Sequence, residues 1–230
     1  QEPPYAYFIK QKQRDPVRPV EFLKRLAFNG IKISQLDSET FFEGNTYPKG
    51  TWVIPMAQEF GELARQLIDI QEYPDLRESP DGPLEQPYDA AGWTLPYQME
   101  VEVVAAMSPL PESLSSSLIP VEGIALEENT DTSIDLSKAD FIGGAGFDTN
   151  EVAAGIVPLP GTLKGSGGTM VIDPKENNSF RIIGDAMNQN LAIGFNPKQQ
   201  TYAISNASRS QMQKWVKDYA VNARLTSTKP

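Results

Sequence analysis

The 230-residue sequence contains no histidine and no cysteine. Both side chains are favoured transition-metal ligands and common catalytic groups. Their absence closes several enzyme classes to these residues acting alone: a Ser-His-Asp triad, a Cys-His pair, a histidine-ligated zinc and a thiolate cluster all need them. A disulfide-built secreted scaffold is excluded as well, whereas a cysteine-free chain suits the cytosol and the bacterial periplasm equally. Positive charge is also scarce. Twenty Lys and Arg face 30 Asp and Glu, giving a formal charge of −10. That balance argues against a nucleic-acid surface, which needs clustered cations, and against an anionic membrane. No apolar run approaches the ~20 residues of a membrane span, so no membrane insertion is expected. The sequence opens on Gln1-Glu2-Pro3-Pro4 with neither an initiator methionine nor a signal peptide, which reads as an excised piece or a processed chain.

What is present is an ordinary globular balance, 40% hydrophobic and 22% charged, with enough apolar surface for a core. Tyr5 to Ile9 reads as a strand. Asp15-Pro16 and Pro19 open a helix whose buried stripe is Val20, Leu23, Leu26 and Ala27, and Asn29-Gly30 closes it. Ile31 and Ile33 alternate as a strand. Phe41-Phe42, a Gly44-Asn45 turn, a Pro48-Lys49-Gly50 turn and Thr51 to Ile54 suggest further strands. A second helix carries Phe60, Leu63, Ala64, Leu67 and Ile68 at one-face spacing.

Residues 169 to 221 repeat this order. Thr169 to Ile172 is a strand; Asn177 or Asn178 caps a helix bearing Phe180, Ile183, Ala186 and Met187; Asn190 sits where Gly30 sat. Leu191, Ile193 and Phe195 alternate, Asn196-Pro197-Lys198 turns the chain and Thr201 to Ile204 returns it. A last helix carries Met212, Trp215, Val216, Tyr219 and Ala220. The pattern therefore predicts an α/β (α+β) protein of two pseudo-repeated βαββα units, matched by pattern rather than identity. The first unit spans 1–72. An irregular, proline-rich connector spans 73–121, with one strand over Met99, Val101, Val103 and Ala105 and a linker over 108–117. A Gly-rich segment of strands and loops plus the second unit spans 122–230.

Candidate chemistry is thin. Asn129, Asp131, Ser133, Asp135 and Asp140 fall in a calcium-loop register, but Ile134 stands where the sharp turn wants glycine. Asp75, Glu78, Asp81, Glu85 and Asp89 crowd the connector with no geometry that pairs an acid with a base. Gly143 to Gly146 and Gly165 to Gly168 lack the lysine of a phosphate loop and read as turns. Trp52 and Trp215 sit on periodic apolar faces and belong to the core. Trp93, with Tyr88 and Tyr97, lies in an irregular stretch, and an aromatic there anchors its segment to a neighbouring surface.

Three blocks, Thr46 to Gln58, Tyr73 to Arg77 and Pro87 to Met99, resemble in order and spacing the region that follows the catalytic domain in large multidomain bacterial zinc carboxypeptidases. Thr169 to Pro174 with Asn178-Ser-Phe180 resembles it more loosely. The family's zinc is held by a His-x-x-Glu pair and a distant His, beside a Glu general base and substrate-gripping Arg residues. A glutamine-amidotransferase-like domain, with a cysteine nucleophile, often comes next. Without histidine or cysteine, no catalytic residue of either kind carries over. The resemblance implies a non-catalytic accessory region that packs against the peptidase domain of the same polypeptide and shapes access to it. No metal or other cofactor is expected in this chain, the zinc lying in that catalytic domain, and the location is periplasmic or secreted. Tyr88, Trp93 and Tyr97 are the expected docking residues. A peptide- or glycan-binding module, a structural spacer and an independent carboxylate- or hard-metal-dependent hydrolase remain alternatives.

Overall fold

A computed structural model describes residues 2–70, 75–85, 94–123 and 150–227. They form a mixed α/β protein. The first unit comprises β1 (Ala6–Ile9), α1 (Val17–Phe28), β2 (Ser34–Leu36), the hairpin β3 (Thr40–Phe42) and β4 (Asn45–Tyr47), β5 (Trp52–Pro55) and α2 (Gly61–Ile68). There follow α3 (Leu95–Met99), β6 (Val104–Ala106), α4 (Glu112–Ser115), β7 (Leu118–Pro120) and α5 (Glu151–Gly155). The second unit comprises β8 (Leu163–Gly165), β9 (Thr169–Ile172), α6 (Ser179–Asn188), β10 (Ala192–Asn196), β11 (Thr201–Ser205), α7 (Arg209–Asp218) and β12 (Ala223–Thr226). No helix among the described residues is long and apolar enough to cross a membrane.

The first sheet has the order β6-β1-β5-β2-β7, antiparallel throughout. The second has the order β10-β11-β9-β12-β8, antiparallel except where β8 joins β12. In the first, β1, β2, β5 and β6 with α1 and α2 make a βαββαβ path. In the second, β9, β10, β11 and β12 with α6 and α7 do the same, and both paths order their strands 4-1-3-2, the ferredoxin-like arrangement. They differ in the fifth strand. β7 pairs with the outer edge of β2, whereas β8 lies outside β12.

β1 is buried along its whole length because both faces of its sheet are covered. Tyr7 and Ile9 pack with α1 and α2 around Leu23, Leu26, Trp52, Ile54 and Ala64. Ala6 and Phe8 pack on the opposite side, where the Tyr47 ring stacks on Phe8 at 4.4 Å. Tyr47 comes from the β3–β4 hairpin. Its turn is Glu43-Gly44, with φ of +46° and +75°, one residue earlier than the expected Gly44-Asn45. Two consecutive left-handed residues match the strand twist of a tight hairpin. The Glu43 carboxylate accepts from Ser108 N at 2.6 Å and Met107 N at 3.1 Å, which pins the hairpin tip to the chain leaving β6. The bonds from Ser108 and Met107 hold its carboxyl below the usual carboxylate range.

Several expected boundaries move, each for a local reason. Ile31 and Ile33 are buried but precede the ladder. β2 begins at Ser34, and Ile33 meets the sheet only by accepting from Val121 N at 2.9 Å. The strand expected over Met99 to Ala105 starts at Val104. Met99 ends a helical turn, Glu100 is left-handed, and the Gln13 side-chain amide binds both backbone groups of Glu102. The expected 108–117 linker contains α4, which buries Leu114. Helix α5 stands in a segment expected to be extended, and its Ala153, with Ile156 beyond its end, enters the first core. In α2 the buried positions are Gly61, Ala64 and Ile68. Phe60 and Leu63 are exposed, while the helix start sits so close on the chain after β5 that a Cβ at Gly61 would lie 2.3 Å from Met56 O.

The largest correction concerns α6. Its buried residues are Ser179, Ile182 and Ala186, while Phe180 and Met187, expected in the core, are 53% and 64% exposed. The corresponding α1 residues Val20 and Ala27 are buried. Two elements pack on α1 from outside the sheet, α5 and α3, and this widens its buried face. Among the described residues α6 has no such cover. The helix ends agree better. Gly30 (φ +83°) and Asn190 (φ +54°) are both left-handed, and the next amides, Ile31 and Leu191, donate back to Leu26 O and Ala186 O.

The two units meet at Asp15 and Glu176. Asp15 is buried; it accepts from Val17 N at 3.0 Å and, across the units, from Asn177 N at 2.9 Å. Glu176, also buried, accepts from Asn222 N at 2.7 Å. Burial, with Asp15 and Asp173 nearby, pushes its carboxyl above the ordinary 4.5. A raised folded-state pKa favours the protonated form in the fold, so stability is lost as pH rises through it. Glu176→Gln, which keeps an acceptor for Asn222 N and drops the charge, should therefore raise the melting temperature at pH 7. The gain over wild type should vanish below about pH 4.5, where both side chains are neutral in either state. Thermal melts of the pair between pH 3.5 and 8 check the sign.

Candidate functional site

Beyond the described connector piece 75–85, the described chain resumes at Thr94, whose hydroxyl donates to Asp69 O at 3.0 Å. Asp69 in turn accepts from the Tyr7 hydroxyl at 2.6 Å; burial and this carboxylate push the Tyr7 phenol far above its usual range. This anchors the start of α3 to the first core. Pro96 suits the first turn of a helix, where its missing N–H costs nothing. Glu100, left-handed, ends the helix after one turn. Tyr97 is left projecting, 71% exposed, on a segment held at both ends.

The other wall is the loop between β1 and α1. Gln13 donates Nε2 to Glu102 O at 2.9 Å and accepts Glu102 N at 2.8 Å, so its amide stands in for a strand neighbour. Arg14 and Arg18 both bind the Glu100 carboxylate, and Arg18 also lies 3.4 Å from Asp15. The two solvent-facing pairs to Glu100 contribute about 0–1 kcal/mol each, so they place side chains more than they stabilise the fold. Between the walls lies an open groove of about 420 Å³, lined by Gln13, Arg14, Tyr97, Glu100, Val101 and Val103. An aromatic body with a polar tip, a guanidinium group and fixed backbone partners is the composition of a protein- or ligand-recognition patch.

Of the three expected docking residues, Tyr97 lies in this groove, and Tyr88 and Trp93 lie outside the described residues. The calcium-register run 129–140 and Gly143 to Gly146 also lie outside them, as does Asp89. Asp75 pairs with Arg77 at 3.0 Å, and no group of three or more His, Cys, Asp or Glu gathers among the described residues. Gly165 to Gly168 carries the chain from β8 to β9, with Gly165 and Gly167 at positive φ. Trp52 and Trp215 are buried as expected. The sequence reading missed Gln13, Arg14, Arg18 and Glu100. Their partnerships span 82 to 89 residues, so no local spacing announces them.

A second concavity, about 340 Å³, lies on the face of the second sheet opposite α6 and α7, where Val171, Gly194, Thr201, Ala203 and Arg224 line it. Arg224 there donates to Gln199 Oε1 at 2.8 Å. The matching face of the first sheet is filled by the β3–β4 hairpin.

No protein-family model, no curated protein and no solved structure matches this chain.

Proposed function

We propose that the chain is a non-catalytic accessory region of a zinc-carboxypeptidase-like protein, packing against the peptidase domain of the same polypeptide and shaping access to it. The three-block resemblance supplies the partner. The observation that carries the docking itself is Tyr97, exposed on a helical turn tied to the first core, beside a groove rimmed by Arg14 and Glu100. The implied zinc finds no fitting ligand set here, because a chain without histidine cannot form the His-x-x-Glu pair. The metal therefore belongs to the peptidase domain, and the location follows that domain to the periplasm or beyond.

The test is binding to the excised peptidase domain. Wild-type chain should bind it, and Tyr97→Ala should weaken binding about tenfold, the loss of one interface anchor. Absence of binding by wild type would favour a structural spacer. The groove also favours a second reading, recognition of a peptide or glycan by Tyr97 and the flanking charged groups. Calorimetric heat on adding cell-wall fragments, lost in Tyr97→Ala, would support that reading over the first.

A further inference from the structure

The two units treat one edge differently. In the first, the outer edge of β2 is occupied: Leu36 pairs with Leu118, Gln35 with Ile119 and Ser34 with Pro120 of β7. The helix on that side, α1, is covered by α5. A strand and a helix from the same chain thus close the β2–α1 flank. In the second unit the strand in the equivalent place is β10, and it ends its sheet, with no outer partner among the described residues. The helix beside it, α6, leaves Phe180 and Met187 exposed, and Phe195 of β10 is 47% exposed. Phe180 and Phe195 flank the Tyr202 ring at 6.3 and 5.0 Å, so the exposed side chains form one patch along the sheet edge.

Edge strands of soluble proteins are blunted by charge, proline or a bulge, because their outward N–H and C=O groups otherwise recruit another strand. β10 reads Ala192-Ile-Gly-Phe-Asn196, without charge or proline, and pairs with β11 in unbroken register over all five residues. The strand is also self-complementary. An antiparallel pair about a two-fold axis at Gly194 sets Ile193 of each copy opposite Phe195 of the other, both on the face that carries α6. Gly194 then meets Gly194, with no side chain to obstruct the approach, and Ala192 meets Asn196. The same axis brings the two α6 stripes, Phe180 and Met187, alongside each other. A second copy therefore offers both pieces that the first unit takes from its own chain, an antiparallel strand and a helix.

We propose that β10 and α6 form a two-fold interface between copies of this chain, joining the two second sheets edge to edge into one continuous sheet. A five-residue strand and one helical stripe are smaller than the roughly 800 Å² per partner of a standard interface, so the dimer is weak and reversible, with a dissociation constant on the order of 100 µM, above the micromolar-to-picomolar span of standard-size interfaces. The interface is independent of the Tyr97 groove, which lies on the first unit.

Sedimentation velocity of the full chain, from about 1 µM to about 500 µM in ~0.15 M salt to screen the net charge, reads this directly. The sedimenting mass should climb from 25.4 kDa toward twice that value. Phe195→Lys and Met187→Glu, both at exposed positions, should each move the midpoint at least tenfold upward, and Tyr97→Ala should leave it unchanged. Hydrogen exchange should show the outward-facing amides of 192–196, those not already bonded to β11, gaining protection with concentration. A wild type that stays monomeric throughout overturns the proposal, whether or not other proteins use the edge. So does a dimer that survives Phe195→Lys and Met187→Glu. Circular dichroism identifies any variant that fails to fold, and the other then carries the test.

Discussion

Gly161→Ala should unfold the second unit or leave it barely stable, with a loss of about 3 kcal/mol or more in urea denaturation. The glycine lies against the turn that follows α7. Its amide donates to Val216 O at 3.1 Å, and a Cβ placed on it would lie 2.1 Å from Val221 O, 2.3 Å from Val216 O and 2.5 Å from Val221 N. All three neighbours are backbone atoms, so no rotamer change relieves the contact. Nor can that backbone retreat cheaply. Val221 N donates to Val216 O at 3.2 Å around a left-handed Ala220, and Ala223 N donates to Thr162 O at 2.8 Å as β12 enters the sheet. Val216, Val221 and Ala223 are all buried in the second core. The methyl must therefore displace β12 from β8, open the end of α7, or both. Against a typical total stability of 5–15 kcal/mol, a 3 kcal/mol loss is severe. An urea midpoint within experimental error of wild type would mean that the approach at Gly161 is looser than these distances.

Local periodicity made much of the fold legible. A strand–helix–strand order with glycine or asparagine at the helix ends follows from spacing and from left-handed caps, and Gly30 and Asn190 take up that geometry. The core identities of Leu23, Leu26, Trp52, Ala64, Ala186, Met212, Trp215 and Val216 follow from the same spacing. What stayed hidden was whatever another part of the chain decides. Val20 and Phe180 are both large and apolar at matched helical positions, yet one is buried and the other exposed, because α5 and α3 pack on α1. Periodicity reports the face a helix could bury; it does not report how many neighbours arrive to bury it. The groove was hidden for the same reason. Tyr97 was visible as an aromatic in an irregular stretch, but Gln13 acting as a strand neighbour to Glu102 depends on a meeting 89 residues apart.

Asp15→Ala should uncouple the two units and cost about 2–4 kcal/mol, the range expected when a buried, charge-assisted hydrogen-bonding group is deleted. In the sequence Asp15 reads only as the opening of α1, and its bond to Val17 N serves that role. The other oxygen reaches across to Asn177 N at the start of the second unit's first helix, and Arg18 Nε lies 3.4 Å away. One carboxylate, 3% exposed, thus organises the first turn of α1 and fixes where α6 begins relative to it. Alanine deletes the buried acceptor of the Asn177 amide; Asn177 is itself exposed, so the cost comes from the lost carboxylate and its two bonds rather than from a stranded amide. Asparagine keeps a single carbonyl oxygen and can serve only one of the two amides, so Asp15→Asn should fall between wild type and alanine. Uncoupling has its own signature beyond lost stability. Trp52 reports on the first core and Trp215 on the second, so, with Trp93 also replaced by Phe, Trp52→Phe and Trp215→Phe backgrounds resolve the two units by fluorescence. In wild type the two reporters should share one urea midpoint, and in Asp15→Ala they should separate. A single shared midpoint in the alanine variant, at the wild-type urea concentration, would show that the bond between the units carries no energy.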